Sequence, residues 1–564
     1  MKASPTNSSW WALPLIQQCY GQCKIDYSKR RILIIHAHDI GDFSVYPNII
    51  DYFPYDLPKK EKYEPIDIFT IPSDTRFDIS SIALVGHEVG HIFWQQNFSI
   101  IEKKIDDHLK GAYKYIDIDL FNFTEFKEKR QRIASHIEEY LCDQIGSSIF
   151  GPAFDFSLLK LFCSLPTNKN KGSSTHPPEI SRILQSFDRL KKCKDTASTT
   201  EKIALDYLWN SLEMFNNEYK DTKLEKEDEQ YLELTEKIYS EGRRGSFSDN
   251  WNLGQIWPRI KNELDCFRPP FETVQDNKPE VISPIEAVVG ISLYYHGNIF
   301  IDSNEYYLLK KNNAQEKKKM LREILIKHMR YAISLFNFVF KSNQKFCNLD
   351  FDSSELKSTL WRYRQRVTGG NINAAIVTPT IDPITQYGLN SVDLRLGTSF
   401  LVNKASRFTH ISPKQISENE EEANKYLNDF FEKIQIPIGK EFILHPHQFV
   451  LASTLEYVCL PFDYYALVLG RSTWGRLGLN IATATTVQAG FRGCLTLELR
   501  NLGETPLPLT TGTRIAQLCL IQAPIDSSQS GYFAGISKYV GPVSAELPKI
   551  ENDQDWAVLS NYFK

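Results

Sequence analysis

The sequence predicts a multidomain α+β protein, and three observations lead there. Its 564 residues exceed what one core holds, since domains run to roughly 100–200 residues. Between about residues 80 and 365, apolar residues recur at helical spacing. Beyond about 366 the period shortens to two, and β-branched stretches alternate with Gly, Pro and Asn turns. The expected divisions are a mainly helical domain over 1–217, a helical linker or extension over 218–365, and an all-β domain over 366–564.

In chain order, "ILIIH" (32–36) and "DIFTI" (67–71) read as short strands, the second leading into a helix that starts near Ser80 or Ser81. Helical patterns follow in "ALVGHEVGHIFWQQN", "FKEKRQRIASHIEEYLCDQIGSSIF", "PPEISRILQSFDRLKK" and "EKIALDYLWNSLEMFNN". The charged stretch 218–230 reads as a soft junction or a solvated helix face, and the basic run 317–330 as an exposed face. Strands are expected in "SVDLRLGTSFLV", "FILHPHQFVLASTL", "YYALVLG", "CLTLELRN" and "LPLTTGTRIAQLCLIQ", arranged as a jelly-roll-like or distorted barrel. An acidic insert at 416–434 reads as one short helix.

Composition narrows the function classes. With 42% hydrophobic and 24% charged residues the chain reads as soluble and globular. A net charge of −4 supplies no electrostatic footprint for duplex nucleic acid. The ten cysteines form no CxxC pair, which fits free thiols in a reducing cytoplasm. No apolar run reaches the roughly 18–20 residues of a membrane span. The opening "MKASPTNSSWWALP" lacks the charge-then-apolar pattern of a secretory signal, so a cytoplasmic location is expected.

One motif carries metal chemistry. In "HEVGH", His87 and His91 are spaced i, i+4 and share one helix face, so both can bind one zinc ion. Glu88 stands between them, where its carboxylate can take a proton from water held by the ion. A catalytic zinc needs a third protein ligand, and "SHIEEYLCDQIG" (135–146) offers Glu139. Asp143, one turn on, can accept the second N–H of a ligating histidine. Glu138 points about 100° away on that helix, and His136 is an alternative ligand on the Glu139 face.

The order HExxH, "EEYLCDQIG", "STHPPEISRI" (174–183) resembles the gluzincin metallopeptidases, closest to the CAAX-protease and heat-shock-peptidase branch, over about residues 80–185. The resemblance implies a zincin-like domain in which His176 stabilises the oxyanion of the tetrahedral intermediate. Many members of that branch are embedded in membranes. This chain has no such spans, which implies a soluble protein or peptide substrate.

The region 370–545 resembles the dCTP deaminase branch of the dUTPase-like superfamily through "SVDLRLG", "FILHPHQFVLASTLEYVCLP", "GRSTWGRLGL", "TVQAGFRGCLTLELRNLG" and "GTRIAQL". Arg471, Ser472, Thr473 and Arg476 offer guanidinium and hydroxyl donors on a tight turn, suited to a triphosphate. The resemblance makes Glu498 the carboxylate that activates water for attack on cytosine, without zinc. It also adds Thr483, Ala484, Gln488, Gln517 and Lys538 as nucleotide contacts, magnesium with the triphosphate, and a homotrimer. Gln488 stands where the dUTP-hydrolysing branch uses an Asp, and an amide cannot act as the base, so dUTP hydrolysis is not expected. His445 and His447 in "LHPHQ" read as turn residues where the family commonly has "LHPG".

Three functions follow as expectations. The first is a zinc protease gated by a dCTP- or dUTP-like nucleotide, in stress response or defence against phage. The second is a dCTP deaminase with a regulatory zincin-like part, and the third a trimeric scaffold.

Overall fold

The computed structural model of the chain describes residues 9–37, 44–48, 64–72, 79–112, 123–164, 172–197, 199–213, 217, 219, 222, 224–242, 253–265, 267–270, 272–275, 278–298, 300, 313–347, 376–379, 381, 383–388, 391–404, 410–412, 420–462, 464–481, 484–522, 539 and 541–549. The chain divides into two compact units, one of residues 9–261 and 283–301, the other drawing mainly on 262–282 and 302–564. The stretch 218–365 is therefore shared: 218–261 and 283–301 go with the first unit, the rest with the second.

In the N-terminal unit, α1 (Leu13–Gln22) precedes the strands β1 (Arg31–Ala37), β2 (Ser44–Tyr46) and β3 (Ile66–Pro72). Their order is β1-β3-β2, with β1 parallel to β3 and β2 antiparallel to it, Val45 opposite Phe69. Helices α2 (Val85–Ala112), α3 (Phe123–Phe150), α4 (Pro152–Ser164), α5 (Glu179–Thr196), α6 (Thr199–Ser211), α7 (Lys226–Gly242), α8 (Leu253–Asp265) and α9 (Pro284–His296) follow. A 3₁₀ turn at Ser81–Leu84 starts α2 where the sequence placed the helix. At α9, Ser283 and Glu286 form a reciprocal capping box with Pro284 in the first turn, satisfying donors that the helix end would otherwise strand.

The helices α2 and α3 pack backbone against backbone, and the sequence says why. A Cβ on Gly90 would lie 2.7 Å from the Cys142 Cα, and one on Gly86 would lie 2.9 Å from the Gly146 Cα. Two i, i+4 pairs without bulk thus bring the axes together, and the neighbouring rows, His87/His91 and Glu139/Asp143, face each other as a result. Val89, Ile92, Ile137, Leu141 and Ile145 close the core beneath them.

The C-terminal unit holds the hairpin β4 (Glu272–Gln275) and β5 (Lys278–Val281), then α10 (Ala314–Cys347). It continues through β6 (Ile376–Thr378), α11 (Pro383–Gln386), β7 (Val392–Asn403), α12 (Glu420–Leu427), β8 (Phe431–Gln435), β9 (Glu441–Leu444), β10 (Phe449–Cys459) and β11 (Tyr464–Gly470). The last elements are α13 (Ser472–Arg476), β12 (Leu479–Asn480), β13 (Thr486–Val487), β14 (Arg492–Asn501), β15 (Leu507–Thr510) and β16 (Arg514–Gln522). A nine-stranded sheet runs β12-β14-β10-β7-β16-β11-β13, with β6 on β10 and β8 on β7, while β15 pairs with β9. Its core includes Leu394, Leu396, Phe400, Val450, Leu497 and Leu499.

The acidic insert is corrected by this sheet. Only Glu420–Leu427 is helical, and Phe431–Gln435 pairs antiparallel with β7, Phe400 opposite Ile434. Pairing with a buried strand outweighs the local helical pattern. At the turn between β9 and β10, His447 has φ +62°, a conformation that favours glycine, so its place in "LHPHQ" is that of a turn residue. On α10, Tyr331 donates its hydroxyl to the Leu455 carbonyl, and His328 Nε2 meets the Tyr457 hydroxyl at 3.3 Å. Among the described residues, no helix is long and apolar enough to cross a membrane.

Candidate functional site

The first site lies at the α2–α3 crossing, in a cleft of about 760 Å³ lined by His87, Glu88, His91, Glu138, Glu139, His176 and Arg182 among others. The imidazole edges away from the cleft are tied down. His87 Nδ1 donates to Asp143 at 2.9 Å, and His91 Nδ1 to Glu138 at 2.9 Å. A proton held at Nδ1 leaves the lone pair on Nε2, the tautomer a metal requires. The Nε2 atoms of His87 and His91 lie 3.5 and 3.9 Å from the two oxygens of Glu139. Two ligands about 2.0–2.1 Å from a tetrahedral zinc stand roughly 3.3 Å apart, so only a small contraction separates this arrangement from a coordination shell.

The charges agree. Burial works against a proton on His91, yet Cys142, Glu138 and Glu139 hold its imidazole well above the ordinary value, so this spot favours positive charge. Burial would raise the Glu139 carboxyl too, but Arg182 and the three imidazoles outweigh it and keep it low and ionised. Arg182 is itself buried: it donates to Glu139 at 2.9 Å and twice to Asp143, at 2.6 and 2.7 Å. That pairing, with the His87 bond, overcomes burial and holds the Asp143 carboxyl far below its usual range.

A second donor competes with Glu139. Cys142 Sγ and ring nitrogens of His87 and His91 all lie within 4.8 Å of one another. Burial pushes the Cys142 thiol up to about 12, which leaves it protonated, and it sits against Gly90 in the helix crossing rather than lining the cleft. Glu139 is ionised and lines the cleft, and is the better third ligand.

The remaining residues fall around this point. His176, its side chain 62% exposed, has Nε2 3.6 Å from Glu139, and Thr175 Oγ1 meets its Nδ1 at 2.9 Å. Glu88 receives the Val45 backbone N–H, and burial raises its carboxyl against the pull of His87 and His91. His136 lies elsewhere: its Nε2 donates to the Ser173 carbonyl at 3.0 Å, which removes it as an alternative ligand. Sequence reasoning missed Arg182, whose signal was a cation between the buried Ser181 and Ile183. It also missed Glu138 as a partner of His91, because helical angle alone cannot show what faces a residue across a crossing.

In the C-terminal unit the candidates separate into two groups. Ala484, Gln488 and Glu498 line a cavity of about 580 Å³ with Phe449, Phe491 and Tyr539, and the Ala484 N–H donates to Glu498 at 3.3 Å. Arg471, Arg514 and Gln517 instead converge on Asp393, each at 3.2 Å. Ser472, Thr473 and Arg476 are exposed on α13 and do not line the Glu498 cavity. Thr483 and Lys538 lie outside the described residues. Asp393 and Arg514 were not singled out in the sequence, although "SVDLRLG" and "GTRIAQL" contain them.

Comparison with known proteins places this unit. A family model described as dCTP deaminase-like matches residues 360–523. The dCTP deaminase of Haloarcula marismortui is 40% identical over 182 residues, 32% of this chain and 89% of that enzyme. The dUMP-forming dCTP deaminase of Methanobrevibacter smithii is 38% identical over 181 residues, 31% of this chain and 89% of the relative. Among solved structures, the 2'-deoxycytidine 5'-triphosphate deaminase of Agrobacterium tumefaciens is 22% identical, covering 28% of this chain and 46% of that one at a TM-score of 0.22.

Proposed function

The chain belongs to the dCTP deaminase-like family through residues 360–523, and we propose that this domain senses a deoxynucleotide and gates a zinc-dependent peptidase in the N-terminal unit. The observation that carries the peptidase half is the facing of two imidazole Nε2 atoms and the Glu139 carboxylate, with each Nδ1 held by its own carboxylate. His87, His91 and Glu139 would hold the metal. Zinc, when bound, would supply a Lewis acid for the scissile carbonyl and lower the pKa of water beside it.

The chain's own groups do the rest. Glu88, its carboxyl raised toward the working pH by burial, takes a proton and later returns it to the leaving amine. His176 donates to the oxygen on which negative charge develops, an effect of order 10²–10³ in rate for one well-aimed donor. Because the Val45 N–H turns to Glu88 rather than to β3, the outer edge of β2 faces the cleft. An extended peptide can pair along that edge, which favours a peptide over a compact small molecule.

For the sensor half, Glu498 and Ala484 would meet the base, with Gln488 in the same cavity. Arg471, Ser472, Thr473, Arg476 and Gln517 would meet the phosphates and their magnesium. Their separation within one chain fits a homotrimer whose subunits complete one another's sites. Gating requires that the nucleotide bind the peptidase-active and inactive states with different affinity. A second reading, dCTP deamination with Glu498 as base, rests on the Ala484–Glu498 bond and the family membership.

The test is casein or self-cleavage by wild type and Glu88→Gln, with and without each deoxynucleoside triphosphate. Cleavage that responds to dCTP or dUTP and vanishes in Glu88→Gln supports the proposal. Ammonia release from dCTP with no cleavage under any condition supports the deaminase instead.

A further inference from the structure

Behind the candidate metal centre, α7 enters the packing of α3 and α5 through one carboxylate. Asp228 is buried, with 5% exposure, and each of its oxygens accepts one hydroxyl. Tyr140 on α3 donates to Oδ1 at 3.1 Å, and Ser181 on α5 donates to Oδ2 at 3.1 Å. Those two residues are the chain neighbours of Glu139 and Arg182, which are themselves joined at 2.9 Å. The same helix presents Tyr231 edge-on to His136, whose Nε2 fixes the Ser173 carbonyl in the turn that carries His176. The geometry points to Asp228 as a positioning residue for the metal centre: it clamps the backbones of α3 and α5 so that Glu139 meets both histidines. This inference rests on the zinc reading above, and makes α7 part of that site rather than a junction.

The physical argument is one of register. A carboxylate bridging two hydroxyls fixes two helices at one level only if both bonds hold, because either alone permits rotation about the other helix axis. Glu139 projects from the residue next to the clamp, so a small rotation of α3 there carries its oxygens away from Nε2 of His87 and His91. Groups that orient metal ligands without touching the ion typically change affinity 10–100-fold when lost.

The full-length chain carries the test. The triple variant Tyr140→Phe, Ser181→Ala, Asp228→Leu removes the clamp with no donor or acceptor stranded, which keeps its stability cost small. Zinc affinity is measured by competition with a chromophoric chelator, and ligand geometry by the visible spectrum of the cobalt-substituted protein. We expect zinc binding weakened at least about tenfold and an altered cobalt spectrum, with affinity in Asp228→Asn restored to within about threefold of wild type, since an amide can still join both hydroxyls. If the triple variant does not fold, Tyr140→Phe and Ser181→Ala singly carry the same measurement. Wild-type affinity and spectrum in the declamped variants overturn the inference alone. A wild-type chain that binds no zinc overturns the metal reading and this inference with it.

Discussion

Replacing Arg182 with methionine leaves the Glu139 and Asp143 carboxylates buried without the cation that faces both. Both carboxylates are at most 7% exposed, and the guanidinium reaches them through three bonds of 2.9 Å or less. Removing one partner of such a pair costs about 3–5 kcal/mol, because the remaining charge has lost its compensation in a medium that solvates it poorly. The lost stacking of the guanidinium over Phe162, 4.8 Å from the ring centroid, adds to this. Denaturant unfolding of the N-terminal unit should show a loss of that size in metal-free protein. Saturating zinc should recover part of it, since a divalent ion beside Glu139 restores positive charge. In an Asp143→Asn background the same substitution should cost at least about 1 kcal/mol less, the coupling expected of residues in contact. A loss under about 1 kcal/mol, the range of solvated surface pairs, would refute the reasoning.

Other predictions follow from the same geometry. Glu88→Gln keeps the metal ligands intact, so zinc content should match wild type while peptide hydrolysis falls by 10² or more, of the order expected for loss of a positioned base. Glu498→Gln should leave dCTP binding within about tenfold in calorimetry and abolish any ammonia release, because the amide keeps the shape of the side chain but cannot take a proton. His328, fully buried in the C-terminal unit, is pushed down to about 3 by burial and then by Lys327. Its unfolded imidazole titrates near 6.5, so the native state binds fewer protons between those values. Its contribution is complete above pH 6.5 and falls as pH drops toward 3, by about 1.4 kcal/mol per pH unit. Denaturation of wild type and His328→Leu from pH 7.5 to 4.5 should therefore show a shallower slope in the variant, and parallel slopes would contradict the assignment.

Local pattern made the metal centre legible. The i, i+4 spacings of His87/His91 and Glu139/Asp143 survive in any helix, so facing rows needed only the close approach that Gly86 and Gly90 permit. The strands β7, β10, β11, β14 and β16 were legible for the same reason, each carrying its own alternation. What sequence did not yield depends on distant partners. Asp228 meets Tyr140 across 88 residues, and nothing in a charged stretch announces which acid turns inward. Arg182 was passed over as part of a helix stripe because its value lies in two carboxylates on another helix. The end of the acidic insert read as helix because β8 is defined by its pairing with β7 more than by its own residues. In the nucleotide site, the residues Arg471 and Gln517 were found, but Asp393, which gathers them, was not.

The most direct measurement is the metal content of the purified chain by elemental analysis, in wild type, His91→Ala, Glu139→Ala and Cys142→Ser. The account predicts about one zinc per chain in wild type and Cys142→Ser, with most of it lost from His91→Ala and Glu139→Ala. A metal-free wild type, or zinc that departs with the Cys142 thiol and stays without the Glu139 carboxylate, would contradict it.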